Sequence, residues 1–358
     1  MIFVYVILLS HIIHYKSDDF LLMGTPPLYL KEPVPITSDI QFLALPILAP
    51  GPTGSWDDQW ILDGHVILVN DTLKMWYLGI NQNHNQYPYK GIGLAYSADS
   101  GKTWVKYSNN PVFVSDSTSR WEHTTAWTDG LWEAVVIYEP NEYKMWYQAW
   151  DEKDCFNTLY AHSPDGIHWE RGNNGNPVLY AGYYESGDTQ WDSRYCGARS
   201  VMKLGTLYYL FYEAESFYRL GSFSMGLAIG VSETCFAKVD TLSPVFTTLG
   251  TADTLWCGSS IIPNVILDGS TFILVYSSNS THTYKTTVGL ALSPDGLHWE
   301  RYAQNPICNL NAMGILSGAI TAIYWEQGNQ MVKELVAISR SIPIGIYSCQ
   351  LPFLLHKP

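Results

Sequence analysis

AYSADSGKTW at 95–104, AHSPDGIHW at 161–169 and ALSPDGLHW at 291–299 are three nearly verbatim writings of one phrase. A degenerate copy, GVSETCF, stands at 230–236, and a remnant, AISRSIPIG, at 337–345. With the serine as origin (Ser97, Ser163, Ser232, Ser293, Ser339), the steps are 66, 69, 61 and 46 residues. Each of the first four copies is followed by a proline tetrad: NPVF at 110–113, NPVL at 176–179, SPVF at 243–246 and NPIC at 305–308. Upstream of the copies lie KMWY at 74–77, KMWY at 144–147, YYLFY at 208–212 and FILVY at 272–276. Self-similarity at a long period means a repeat architecture. Here the unit is made of strands: short apolar or alternating runs rich in Trp, Tyr, Val and Ile, cut by Asp-Gly, Asn-Pro or Ser-Pro. In SPDG the proline presets φ at the second turn position and the glycine accepts a positive φ. No stretch between 50 and 340 carries a convincing amphipathic helical period. A unit of about 65 residues with about four strands is a propeller blade, and five units predict an all-β, five-bladed β-propeller.

The ring has a predicted closure. The last unit stops near Tyr347 without its tetrad, while an orphan tetrad, LPIL, stands at 45–48. It is followed by PGPTGSWDD, much as the second tetrad is followed by GDTQWD. Residues near 40–48 are therefore expected to supply the outer strand of the last blade, which removes an open sheet edge. The expected organisation is an N-terminal extension at 1–24, one propeller domain at 25–350 and a tail at 351–358. The opening MIFVYVILLSHIIHY is too short to span a bilayer and lacks the basic start of a signal peptide. It reads as an extension, a weak secretion signal, or a start misplaced relative to Met23.

Composition agrees: 47% of the 358 residues are hydrophobic and 14% aromatic. A formal charge of −13 and seven scattered arginines exclude the basic stripe that nucleic acid requires. The six cysteines show neither CxxC nor zinc spacing and read as isolated thiols. Sequons at Asn70 and Asn279 match a pattern too common to establish secretion, so cytoplasmic and secreted locations both stay open, as does oligomeric state.

The unit W-D…K-M-W-Y…S-P-D-G-x-H-W…N-P-V resembles the repeat of five-bladed propellers in the arabinanase, levansucrase and invertase superfamily, which includes glycoside hydrolase families 43, 32 and 68 and, more distantly, 130. The likeness covers nearly the whole predicted domain. Ser97 to Trp104 also resembles the sialidase Asp-box, a structural turn on the blade periphery. Sialidases use six blades and an arginine cluster that this chain does not display by position.

The family resemblance implies a site at the mouth of the central channel, with a carbohydrate or other small molecule as substrate. It implies that Asp63, in Asp63-Gly64-His65-Val66-Ile67, stands where those families place their base or nucleophile. Glu133, in Trp132-Glu133-Ala134, occupies the place of their transition-state-stabilising Asp. Their acid Glu has no counterpart in Cys196-Gly197-Ala198-Arg199-Ser200-Val201, which leaves Asp192 or Glu213 as the proton donor, Glu213 reaching the channel from a loop. Glycoside cleavage needs one protonated and one ionised carboxyl, so Asp63, Glu133, Asp192 and Glu213 are the catalytic candidates. Tryptophan beside an acid opens several blades, at Trp56-Asp57-Asp58, Trp121-Glu122-His123 and Trp191-Asp192. That pairing suits a sugar, whose apolar face packs on indole, and also suits a structural role in which the tryptophans cover the core and the acids bond neighbouring backbone or the next blade. Together with His65 and Arg199 these form the expected binding set. The fourth copy, Trp256-Cys257, reads as having lost its acid.

His168 and His298, inside the repeats, are expected to be structural. No motif calls for a cofactor or a zinc ion; a calcium ion held by Asp side chains and carbonyls in the channel is compatible with the sequence. The alternatives are a propeller that binds a glycan or protein without turnover, and an isomerase, lyase or cyclase using the same channel.

Overall fold

The computed structural model describes residues 46–82, 89–122, 130–181, 190–218, 220–240, 243–251, 253, 261–278 and 287–309, together with the backbone of strands at 4–8, 11–15, 320–327, 330–339 and 345–350. Five antiparallel units follow one another. In blade 1, Trp60–Val69, Thr72–Ile80, Lys90–Ser97 and Val105–Lys106 pair in chain order. Blades 2, 3 and 4 repeat this with inner strands Leu131–Glu139, Tyr195–Leu204 and Ile261–Asp268. The fifth unit comprises Ile320–Gln327, Gln330–Ser339 and Gly345–Gln350. Each inner strand neighbours the next, and Ile320–Gln327 neighbours both the fourth and the first. The five inner strands thus ring a central channel. No described helix is long and apolar enough to cross a membrane.

The second strands form the core of blades 1 to 4, as their Trp, Tyr and Leu content predicts. Trp76, Tyr77, Trp146, Tyr147, Phe211, Tyr212 and Tyr276 are all buried. The repeats also join blades. Trp76 Nε1 donates to the Gly166 carbonyl at 3.0 Å and Trp146 Nε1 to the Glu233 carbonyl at 3.0 Å, so an indole of one blade grips the turn of the next. Lys74 Nζ reaches the Tyr143 hydroxyl at 2.6 Å across the same first boundary.

The SPDG-type turns are built from within. Ser163 Oγ accepts from Gly166 N–H at 2.8 Å, Asp165 Oδ1 accepts from the backbone of Ile167 and His168, and Trp169 Nε1 donates back to Gly166 at 3.1 Å. His168 and His298 each sit 2.7 Å from the aspartate of their own turn, a structural post. The last residue of each tetrad bridges the third strand of its blade: Phe113 to Ile92, Leu179 to Thr158, Phe246 to Met225 and Cys308 to Val288.

One element of the repeat reading is corrected. Ala337–Ser339 ends the second strand of the fifth unit, whereas the other copies end third strands. The third strand is Gly345–Gln350, so Ser339 of AISRSIPIG lies one strand earlier than the serines of the other copies. Leu48 forms an isolated bridge and is buried against the blade 1 core. Among the described cysteines, Cys155 and Cys196 are buried and Cys235 is exposed.

Candidate active site

Three inner strands break register at neighbouring depths. The shift falls between Leu62 and His65 in blade 1, between Leu131 and Ala134 in blade 2, and between Ala198 and Ser200 in blade 3. A bulge adds a residue to one strand and re-aims its side chain. The residues so presented are Asp63, Glu133 and Arg199. Asp63 holds a positive φ of 45°, a region that aspartate tolerates better than most residues. The fourth inner strand keeps its register and contributes Asn264. Asp63, His65, Glu133, Arg199 and Asn264 line one cavity at the channel.

Arg199 organises this wall. Its Nη1 is paired with Glu133 of the preceding blade, while Nε and Nη2 meet Glu213 Oε2 at 2.6 and 2.5 Å. Glu213 lies on the second strand of blade 3, Leu207–Glu215, opposite Gly197. It reaches the site from a strand, not from the expected loop. Burial pushes its carboxyl up to about 7; Arg199 opposes that rise, and the negative charges of Asp63 and Glu215 add to it. A carboxyl that keeps its proton near neutrality can act as a general acid.

His65 is half-buried, and desolvation of its ring lowers its pKa to about 4. Its Nδ1 accepts from the Val136 N–H at 3.3 Å, which assigns the proton of the neutral ring to Nε2. His65 therefore offers a neutral donor. Trp132, next to Glu133, donates its Nε1 to Glu133 Oε1 at 3.0 Å and carries the Lys90 ammonium 3.9 Å above its ring.

The tryptophan–acid pairs at the blade starts form a different constellation. Asp57 accepts from the Tyr77 hydroxyl at 3.1 Å and from Lys106 at 2.5 Å. Glu122 accepts from Tyr147 at 2.6 Å and holds Arg171 by two bonds of 2.7 and 2.6 Å. Asp192 pairs with Lys238 at 2.5 Å and meets Tyr212 at 3.3 Å. Asp253 repeats the motif with Tyr276 at 2.7 Å and Arg301 at 2.8 Å. In every case a loop acid, a second-strand tyrosine and a fourth-strand base close one blade. Asp192 is thus committed to a clasp and is not brought to the wall with Asp63. Asp58 caps its own loop through Gly54 and Gln82 N–H groups, each at 2.7 Å. Trp56 covers the blade 1 sheet at Gly79 and Gly93. Trp121 packs on Tyr180 and donates to Asn176, and Trp191 stacks on Tyr212. His123 lies outside the described residues.

The expected set thus divides: Asp63, His65, Glu133, Arg199 and Glu213 converge, while the clasp residues do not join them. Sequence reasoning missed Asn264, Trp132 and Asp253. Asp253 was legible by its spacing to the second-strand tyrosine, 23 residues against 20 for Asp57 and Asp192 and 25 for Glu122. Among the described residues no group of three His, Cys, Asp or Glu side chains is arranged to hold a metal ion.

No protein-family model matches the chain. Solved structures do match it in shape. A GH130 structure, from a family described as mannoside phosphorylases containing glycoside hydrolases that target β-1,2 mannosidic linkages in Candida mannan, superposes with a TM-score of 0.65 at 13% identity, over 88% of this chain and 95% of that one. A glycosyl hydrolase from Bacteroides ovatus gives 0.61 at 12% identity over 87% and 93%. A thermostable family-43 glycoside hydrolase gives 0.56 at 17% over 86% and 92%. The fold is that of the five-bladed propeller glycoside hydrolases. In sequence, an uncharacterized protein of Mycobacterium tuberculosis, present in strains CDC 1551 and H37Rv, is 32% identical over 135 residues, or 36% of this chain. The match spans 42% of the length of those relatives.

Proposed function

We propose that this propeller is a glycosidase-type enzyme that cleaves a glycan or glycoside at the channel wall formed by Asp63, Glu133, Arg199 and Glu213. The observation that carries the reading is the meeting of Glu133 and a fully buried Glu213 around the Arg199 guanidinium, with Asp63 lining the same cavity. Glu213 protonates the leaving oxygen as the glycosidic C–O bond breaks. Asp63 either attacks the anomeric carbon or takes a proton from the water that does. Glu133, turned toward the site by its bulge, stabilises the oxocarbenium-like charge. Arg199 keeps two acids ionisable at close quarters without direct repulsion, and His65 supplies a neutral donor to a sugar hydroxyl.

The test is product release and product mass from a panel of arabino-, xylo-, fructo- and mannosides, with wild type beside Asp63→Asn and Glu213→Gln. Sugar release that disappears in both variants is the expected result. Release that persists in both, or none from folded wild type across the panel, overturns the reading. Binding without product in the latter case supports a non-catalytic lectin-like role, and a product isomeric with its substrate supports non-hydrolytic chemistry.

A further inference from the structure

The four blades place the same register pair behind the site, and only one blade makes that pair hydrogen-bonding on both strands. The cross-strand pairs are Leu78 with Ile92, Gln148 with Thr158, Glu213 with Met225, and Ser277 with Val288. On the third strand the position is Ile92, Met225 and Val288 in three blades, all buried. The repeat packs without a hydroxyl there. Blade 2 alone carries Thr158 at this position, and it opposes Gln148; neither side chain is exposed.

Both reach across the blade boundary to a single residue. Thr158 Oγ1 accepts from the Ala198 N–H at 2.9 Å and donates to the Cys196 carbonyl at 2.8 Å. Gln148 Nε2 donates to the Ala198 carbonyl at 2.7 Å, and its Oε1 accepts from the Tyr195 hydroxyl at 2.8 Å. Ala198 is the residue at which the inner strand of blade 3 slips register, and Arg199 is the residue the slip presents. A bulge disrupts the local ladder, and a buried backbone group without a partner is costly. Here blade 2 satisfies both polar groups of Ala198 from the side.

Resting on the glycosidase reading, we propose that Gln148 and Thr158 are positioning residues: they clamp Ala198 so that the bulge holds Arg199 between Glu133 and Glu213, and thereby set the proton affinity of the general acid. Neither touches the substrate. The geometry has an electrostatic consequence with a definite sign. Arg199 lowers the proton affinity of Glu213, so a bulge that relaxes and withdraws the guanidinium raises it.

The experiment uses the full chain with glutamate ¹³C-labelled at the side-chain carboxyl, the Glu213 resonance being identified by its loss in Glu213→Gln. In Thr158→Val, which keeps shape and removes the hydroxyl, the Glu213 titration should move upward by about one pH unit, and the basic limb of the kcat/KM profile should move with it. Thr158→Ser, which restores a hydroxyl, should return both to wild type. Circular dichroism establishes that each variant is folded, and Gln148→Met answers the same question if Thr158→Val is not. A folded variant whose Glu213 titrates as in wild type overturns the proposal, as does a shift that serine fails to reverse. A titration that moves and is rescued in a protein without glycoside turnover supports the positioning role while overturning the glycosidase reading on its own.

Discussion

Glu213 and His65 sit in one site and respond to pH with opposite signs. Below about pH 4.5 both folded and unfolded chains hold the Glu213 proton; from there to about 7 only the folded chain does. Stability attributable to this group is therefore present at low pH and lost as pH rises through that window. A shift from 4.5 to about 7 corresponds to about 3 kcal/mol. His65 runs the other way: the unfolded chain takes up a proton below 6.5 while the folded ring stays neutral to about 4. Urea unfolding at pH 5 and pH 8 should show wild type losing about 2.5 kcal/mol more than Glu213→Gln between the two. Equal losses would mean that Glu213 is ionised in the folded chain at pH 5. The same protonation places the basic limb of kcat/KM near pH 7. Glu213→Gln should lower kcat/KM for poor leaving groups by about 10²–10⁴-fold and far less for activated aryl glycosides. A uniform loss across leaving groups would remove Glu213 from the acid role.

Among elements, the clasps and the bulges differ in how openly the sequence writes them. Asp57, Glu122 and Asp192 are visible beside their tryptophans, yet adjacency to tryptophan suits a sugar platform as well as a clasp. The partners that decide for the clasp, Lys106, Arg171 and Lys238, lie 46–49 residues downstream on short fourth strands. Removing one such base strands a buried carboxylate: Lys238→Met should cost about 3–5 kcal/mol, read as a lower unfolding midpoint. Tyr276→Phe, which deletes one neutral donor to Asp253, should cost about 1 kcal/mol. If both cost the same, the clasps act through packing and not through charge. The bulges were harder to read. Asp63 and Glu133 were found by analogy of position, but that Arg199 joins them depends on a register slip. Such a slip belongs to the pairing of two strands and leaves no mark on either one. Gln148 and Glu213 were in plain view as the residues that follow the tyrosine of each second strand; only the aligned blades show that this position faces the wall.

At the scale of the whole molecule, the five-fold repeat made the architecture legible because every blade solves the same packing problem with the same Trp, Tyr and Ser-Pro-Asp-Gly pieces. The fifth unit was harder, since its third strand carries neither SPDG nor tetrad. We expect Leu48, fourth in the orphan tetrad and bridged like its counterparts Phe113, Leu179 and Phe246, to belong to the outer strand of that unit. Deleting residues 1–50 should lower the melting temperature and promote self-association through an opened edge, while deleting 1–24 should leave melting unchanged. Identical melting in both would place the closure elsewhere. The indole grips run from blade 1 to blade 2 and from blade 2 to blade 3. At the boundary of blades 3 and 4 Phe211 takes the place of Trp76 and Trp146, against Gly296, and Tyr209 that of Lys74 and Lys144. A phenyl ring fills the space but has no N–H to give. These three described seams are unequal links, and under heat or tension the rim should part between the third and fourth blades before it parts between the first and second or the second and third.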